Sequence, residues 1–384
     1  MARAPRPFRL HVEDAAIADL RERLARTRYP DRAPGEPWAY GTDPNWLRTL
    51  VDHWRERFDW RAEEARLNAW PQFKAQVAGI DVHFLHVPGS GPDPMPLLLS
   101  HGWPGSVFEF LQLIPRLADP ARFGGAARDA FTLVVPSLPG YGLSFAPGQK
   151  RFSVEEIADA FDELMSGVLG YARFGAQGGD WGAFIASRLG HSHAGKLIGI
   201  HLNYLPIRRD LEPTADTPPH EARYLDELAR WQKEETGYQA IQGTRPQTLA
   251  AALTDSPAGL AAWIGEKFRA WSDCGGDVES VFTKDQLLAN ISLYWFTGAV
   301  GASFWPYYAR LHGQWPIPKG ATVDVPCGYA AFPREILRPP RSLAERTYTD
   351  IRRWSEMPSG GHFAAMEQPE ALAREVREFF RELR

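Results

Sequence analysis

Arg173-Phe-Gly-Ala-Gln-Gly-Gly-Asp-Trp-Gly-Ala-Phe-Ile-Ala-Ser-Arg188 is the stretch on which the fold turns. A short apolar run ending at Phe174 and Gly175 reads as a strand. Ala183 to Leu189, with Phe184, Ile185 and Leu189 spaced to one face, reads as a helix. Between them stands Gly178-x-Asp180-x-Gly182, the nucleophile-elbow pattern with Asp where its esterase form has Ser. The glycines permit a cramped turn and leave room for the following helix to pack close. Such a turn lifts one side chain out of the sheet at the positive end of a helix, a location that favours an ionised carboxylate. A serine there needs a base to become nucleophilic, whereas a carboxylate is already charged. Asp180 therefore reads as a nucleophile that attacks carbon and forms an ester; the plainer alternative is an Asp that caps an ordinary helix.

Working outward, buried strands are expected near 80–87, 95–100, 131–135 and 196–202, with helices over 107–117 and 153–169. This alternation predicts an α/β chain, a mostly parallel sheet with helices on both faces. It breaks at about residue 205. From there to about 318 only helices and loops are expected, clearest at 221–236 and 284–296, a block that reads as a lid over the carboxyl ends of the strands. Strands return at 323–331 and 350–354, and a helix closes the chain at 369–383. Ahead of the sheet, a helix carries Ile17, Leu20 and Leu24, a Pro- and Gly-rich strap covers 30–42, and a second helix runs from Asp43-Pro44 through Trp46, Leu50, Val51, Trp54 and Phe58. The expected division is an accessory extension over 1–75, the first part of the core over 76–205, a helical lid over 206–318 and the second part of the core over 319–384.

Composition narrows the function classes. With 44% hydrophobic and 23% charged residues the 384-residue chain has the make-up of a soluble globular protein. A net charge of −4, with no basic cluster interleaved with aromatics, argues against nucleic acid as partner. Cys274 and Cys327 are too few for a disulfide framework and fit a reducing, cytoplasmic setting. The opening Met1-Ala-Arg-Ala-Pro-Arg-Pro-Phe8 has no apolar stretch behind it, so neither a signal peptide nor a membrane anchor is expected. Several of the 14 Trp and 12 Tyr cluster between residues 224 and 315, the make-up of an apolar pocket wall.

An aspartyl ester must be freed by an activated water, and the partners of an elbow nucleophile follow it as an acid and then a histidine. His362, in Ser359-Gly-Gly-His362-Phe, lies after the last expected strand, and no other histidine follows His312. Glu335, 27 residues before it, is the first carboxylate past the preceding strand and would hold the imidazole tautomer, with Asp210 as the fallback acid. The oxyanion formed when water attacks the ester needs backbone donors. These are the amide of Trp181, directly after the nucleophile, and that of Trp103 in His101-Gly-Trp-Pro-Gly-Ser106. Nothing near His191-x-His193 completes a metal site, and His83 and His86 read as structural. No cofactor is required.

Taken together, His101-Gly-Trp-Pro-Gly-Ser106, Gly178-Gly-Asp-Trp-Gly182 and Gly360-Gly-His-Phe-Ala-Ala365 closely resemble the microsomal-type epoxide hydrolases, α/β-hydrolase enzymes with a characteristic N-terminal extension. The resemblance extends over Pro7 to Asp31, Thr244 to Leu249 and Ala262 to Lys267. It implies Asp180 as nucleophile, Glu335 as acid and His362 as base, and two lid tyrosines that grip the epoxide oxygen, matched by Tyr238 and Tyr307, with Tyr308 adjoining the second. A phenol can donate a hydrogen bond or proton to the oxygen released by ring opening. The implied reaction turns a small apolar epoxide and water into a vicinal diol, in detoxification or natural-product biosynthesis. The missing anchor is similar to the soluble bacterial and fungal branch, and a homodimer is compatible with it. The rival is a haloalkane dehalogenase, which also uses an elbow Asp followed by Trp, its indoles binding halide; the tyrosine pair favours the epoxide. A non-catalytic binding protein on the same fold is disfavoured by the full set of chemical groups, and no Gly-x-Ser-x-Gly is present for a serine esterase.

Overall fold

The computed structural model describes residues 4–384, so Met1 to Arg3, at the head of the segment read as lacking a leader, lie outside the described residues. Nine strands, β1 (Arg6–Phe8), β2 (Gln72–Val77), β3 (Ile80–Val87), β4 (Met95–Ser100), β5 (Phe131–Pro136), β6 (Phe174–Gly178), β7 (Leu197–Leu202), β8 (Cys327–Ala331) and β9 (Ile351–Glu356), form one sheet. Their order is β1-β2-β3-β5-β4-β6-β7-β8-β9. From β5 to β9 every neighbouring pair is parallel, while β1, β2 and β3 run antiparallel at one edge. Helices cover both faces, and the α/β expectation holds. Central β4 and β5 read as continuous apolar runs because both of their faces are covered; Leu97, Leu98, Leu99, Leu133, Val134 and Val135 are fully buried.

Several elements differ from expectation for local reasons. The helix expected over 107–117 is split into a 3-10 turn, Val107–Phe110, and a short helix, Ile114–Ala118. Pro115 has no N–H to continue the first turn, so the chain restarts there. The strand expected over 323–331 is confined to Cys327–Ala331, because Pro326 cannot donate to a ladder; Val323 keeps only an isolated bridge to Tyr348. Other elements are additional, two of them near the start of the sheet. A helix at Trp60–Asn68 is capped by the Asp59 carboxylate, which accepts from the Arg61 and Ala62 amides, and the three-residue β1 pairs with β2. β2 itself starts at Gln72, where polar residues alternate with Phe73, Ala75 and Val77.

The N-terminal helices Asp14–Ala25 and Pro44–Glu56 pack on lid helices as well as on each other. Trp46 sits so close to the lid helix Pro257–Trp271 that a Cβ on Gly265 would fall 2.6 Å from its ring. The Thr42 hydroxyl of the strap donates to the Ala262 carbonyl of that helix at 2.8 Å. The N-terminal segment thus braces the helix Pro257–Trp271. No single helix among the described residues is long and apolar enough to cross a membrane.

Candidate active site

Asp180 opens the helix Asp180–Ser192 directly after β6 and has φ of 46°. That left-handed conformation costs energy in a residue with a Cβ and persists because the surroundings enforce it. A Cβ on Gly178 would meet the Gly182 carbonyl carbon at 2.3 Å, and one on Gly182 would meet the Ser100 carbonyl oxygen at 1.9 Å. The elbow closes because both positions lack side chains. The Asp180 side chain stands above the end of β6, 18% exposed.

The loop after β4 comes up beside it. The Trp103 amide donates to Asp180 Oδ1 at 2.7 Å. Buried His101 fixes this loop: its Nδ1 donates to the Gly102 carbonyl at 2.9 Å and its Nε2 accepts from the Leu138 amide at 3.2 Å. Burial lowers the His101 pKa to about 4, so the ring is neutral and can hold both bonds. From the lid helix Lys284–Thr297, Asn290 donates to the Pro104 carbonyl at 2.7 Å and the Tyr294 hydroxyl donates to the Gly105 carbonyl at 2.7 Å.

His362 reaches the opposite side of the carboxylate. Its Nε2 lies 3.5 Å from Asp180 Oδ2, and its Nδ1 donates to Glu335 Oε1 at 2.5 Å. The Glu335 side chain is fully buried and its Oε1 also accepts from the Ile336 amide at 2.7 Å. Burial disfavours charge on the imidazole, but the carboxylates of Glu335 and Asp180 outweigh it and hold His362 well above the usual histidine range. The His362 amide donates to the Trp271 carbonyl at 2.9 Å, and the Trp271 ring meets the imidazole at 5.1 Å. Asp210, the fallback acid, is exposed and paired with Arg208, with no contact to His362.

A small cavity opens beside Asp180, and Tyr238 and Tyr307 both line it. Their rings meet edge to face at 5.7 Å; Trp103 stacks on Tyr238 at 5.4 Å, and Trp181 meets Tyr307 edge-on at 4.8 Å. Burial raises the pKa of both phenols, which keeps them protonated and able to donate. The Tyr307 hydroxyl has no well-formed hydrogen bond, whereas that of Tyr238 accepts from Gln239 Nε2 at 2.8 Å. Tyr308 points elsewhere, stacked between Trp305 and His312. His83 is buried between Ser137 and Gln72, and His86 bonds Tyr171. His191 and His193 bond separate partners, the Thr322 carbonyl and Asp159.

The structure adds residues that sequence reasoning did not single out. Glu109 lines a second small cavity with Asp180 and His362. Asn203, at the end of β7, approaches so closely that a Cβ on Gly179 would lie 2.5 Å from its amide nitrogen. Gln239, Arg209 and Arg310 share the cavity with the tyrosines. None lies in a spacing that marks it, except that Glu109 falls just past the His101–Ser106 motif.

Known proteins match nearly the whole chain. The family described as epoxide hydrolase N terminus matches residues 5–110, and that described as alpha/beta hydrolase fold matches residues 95–312. A protein of Stigmatella aurantiaca (strain DW4/3-1) named "Putative epoxide hydrolase" is 46% identical over 98% of this chain and 85% of its own. Epoxide hydrolase 1 of Oryctolagus cuniculus is 37% identical over 97% of this chain and 88% of its own. The crystal structure of juvenile hormone epoxide hydrolase from the silkworm Bombyx mori superposes with a TM-score of 0.87 at 31% identity, covering 99% of this chain and 95% of that one.

Proposed function

The chain belongs to the epoxide hydrolases and opens an epoxide with water to a vicinal diol; from that premise we propose that it does so through a covalent ester on Asp180. The observation that carries this reading is the Asp180 carboxylate held between two groups of opposite use, the Trp103 amide on Oδ1 and the His362 imidazole beside Oδ2.

Oδ1 is occupied by a donor, so Oδ2 is the oxygen free to attack a ring carbon. As that bond forms the ring C–O bond breaks, and the emerging alkoxide takes a proton from Tyr238 or Tyr307. Esterification removes the negative charge of Asp180. His362 then keeps Glu335 as its anionic neighbour, its affinity for a proton falls, and once its proton has passed through solvent to the tyrosinate left by ring opening, the neutral imidazole is a base for water. Water adds to the ester carbonyl while the Trp103 and Trp181 amides stabilise the oxyanion at Oδ1. Collapse releases the diol with the former Oδ2, and the water oxygen stays in the carboxylate. Two buried, unpaired cysteines, Cys274 and Cys327, support a cytoplasmic setting for this chemistry.

A single turnover in heavy-oxygen water tests the ester. The label should enter Asp180, and the first diol should lack it; label in the first diol would mean direct attack by water. In His362→Gln the alkyl-enzyme should form and persist, visible as an intact-mass adduct.

A further inference from the structure

Two positive charges line the cavity that holds the nucleophile. Arg209 follows β7 and Arg310 sits in the lid helix Trp305–His312; both are half-buried and reach the same cavity as Asp180, Tyr238 and Tyr307. Asp180 is the one carboxylate among the residues that line it. Among the described residues, neither guanidinium has a carboxylate oxygen within 4.0 Å. Their partners are neutral. Arg209 donates to the Tyr204 hydroxyl and, at 3.5 Å, to Gln239 Oε1, with its guanidinium carbon 4.6 Å from the centre of the Trp231 ring. Arg310 donates to the same Gln239 Oε1 at 3.2 Å, and lies over the Trp315 ring at 5.5 Å.

One amide oxygen therefore sits between two cations. Desolvation weakens the hold of Arg310 on its proton, and the neighbouring Arg209 adds to that. Like charges withdrawn from water and left without an anion are costly, and a wholly apolar substrate would bury them further. A planar, charged oxygen pair suits two such forks far better than a neutral amide does, and most of their N–H donors are still free to accept one. The Gln239 side chain joins this cationic end of the cavity to the Tyr238 hydroxyl, so an anion on the forks would lie a short chain away from a ring gripped by the tyrosines.

Building on the epoxide-opening reading, we propose that the substrate is an epoxy acid whose carboxylate docks on Arg209 and Arg310 while its ring lies between Asp180 and the tyrosine pair. The two arginines are binding residues that select the substrate and fix which end of it enters first. Burial raises the pKa of Tyr224, so its hydroxyl does not supply the missing charge.

The test uses the full chain with ω-epoxyalkanoates of four to eight carbons, their methyl esters, and styrene oxide as a neutral reference. At the best chain length kcat/KM for the acid should exceed that for its ester by about tenfold or more, carried by KM, and the ratio should fall as salt is raised. In Arg209→Gln and in Arg310→Gln the acid-to-ester ratio should drop to within about threefold of unity, and Arg209→Lys should restore part of it; the ratio is internal to each preparation and insensitive to its folded fraction. Without any variant, valerate should compete with styrene oxide where valeramide does not. Good turnover of styrene oxide with a ratio at or below one at every length overturns the proposal alone, as does a ratio that survives both glutamine substitutions. No turnover of any epoxide sinks the epoxide premise and the proposal with it.

Discussion

Gly102 carries the most direct prediction. A Cβ built on it would lie 2.1 Å from Asp180 Oδ1 and 2.4 Å from Asp180 Cβ, where ordinary contact needs at least 3.4 Å. The second clash matters most, because Asp180 Cβ is fixed to an elbow backbone with φ of 46° and cannot swing away by rotating a side chain. In Gly102→Ala either the elbow or the loop must therefore retreat by roughly 1 Å, and the 2.7 Å bond from the Trp103 amide to Oδ1 is lost. A hydrogen bond to a charged group is worth about 1.5–3 kcal/mol, and a displacement of about 1 Å at a reacting centre can cost about a hundredfold. The two figures agree on a fall of about two orders of magnitude in the rate of ester formation. Stopped-flow indole fluorescence is the assay, since Trp103 and Trp181 border the carboxylate, with circular dichroism and Tm to establish that the variant is folded. A folded Gly102→Ala enzyme that forms the ester within about threefold of the wild-type rate would refute the reasoning, because the site would have absorbed an alanine that its geometry excludes.

Two further outcomes are expected. Tyr307→Phe should slow ester formation by about ten- to a hundredfold, while Tyr308→Phe should stay within about twofold, since of the two only Tyr307 lines the cavity beside Asp180; equal effects would remove Tyr307 from its proposed role. Burial, opposed by His362 and reinforced by Asp180, pushes the Glu109 carboxyl up to about 8. A raised carboxyl pKa means the fold favours the protonated form. Its stability term is intact below the unfolded value near 4.3 and is lost as pH climbs towards about 8. Glu109→Gln has no such loss, so the Tm of the variant minus that of wild type should grow between pH 5 and 8 and level off above; a constant difference would mean that Glu109 is ionised throughout.

What could be read in advance was what is local. The elbow is visible because Gly178, Asp180 and Gly182 answer to a single turn, and the contact of His362 with Glu335 because both follow strand ends in the order the fold imposes. Buried β4 and β5 were plain from their unbroken apolar runs. β1 is not legible, since three residues at a sheet edge carry no period, and the split at Pro115 is masked by the apolar segment around it. The cationic end of the cavity was also out of reach. Arg209 lies in a loop after β7 and Arg310 in a helix about a hundred residues later, and no spacing relates them; only the packing of the lid brings both onto Gln239.

The two bonds that Asn290 and Tyr294 make to the Pro104 and Gly105 carbonyls have a consequence for traffic through the enzyme. A cover swung upward as one piece would pull on the loop that presents the Trp103 amide, so admitting a molecule that way would disturb the Asp180 contact as well. The Lys284–Thr297 helix therefore has to stay seated while a molecule enters or leaves.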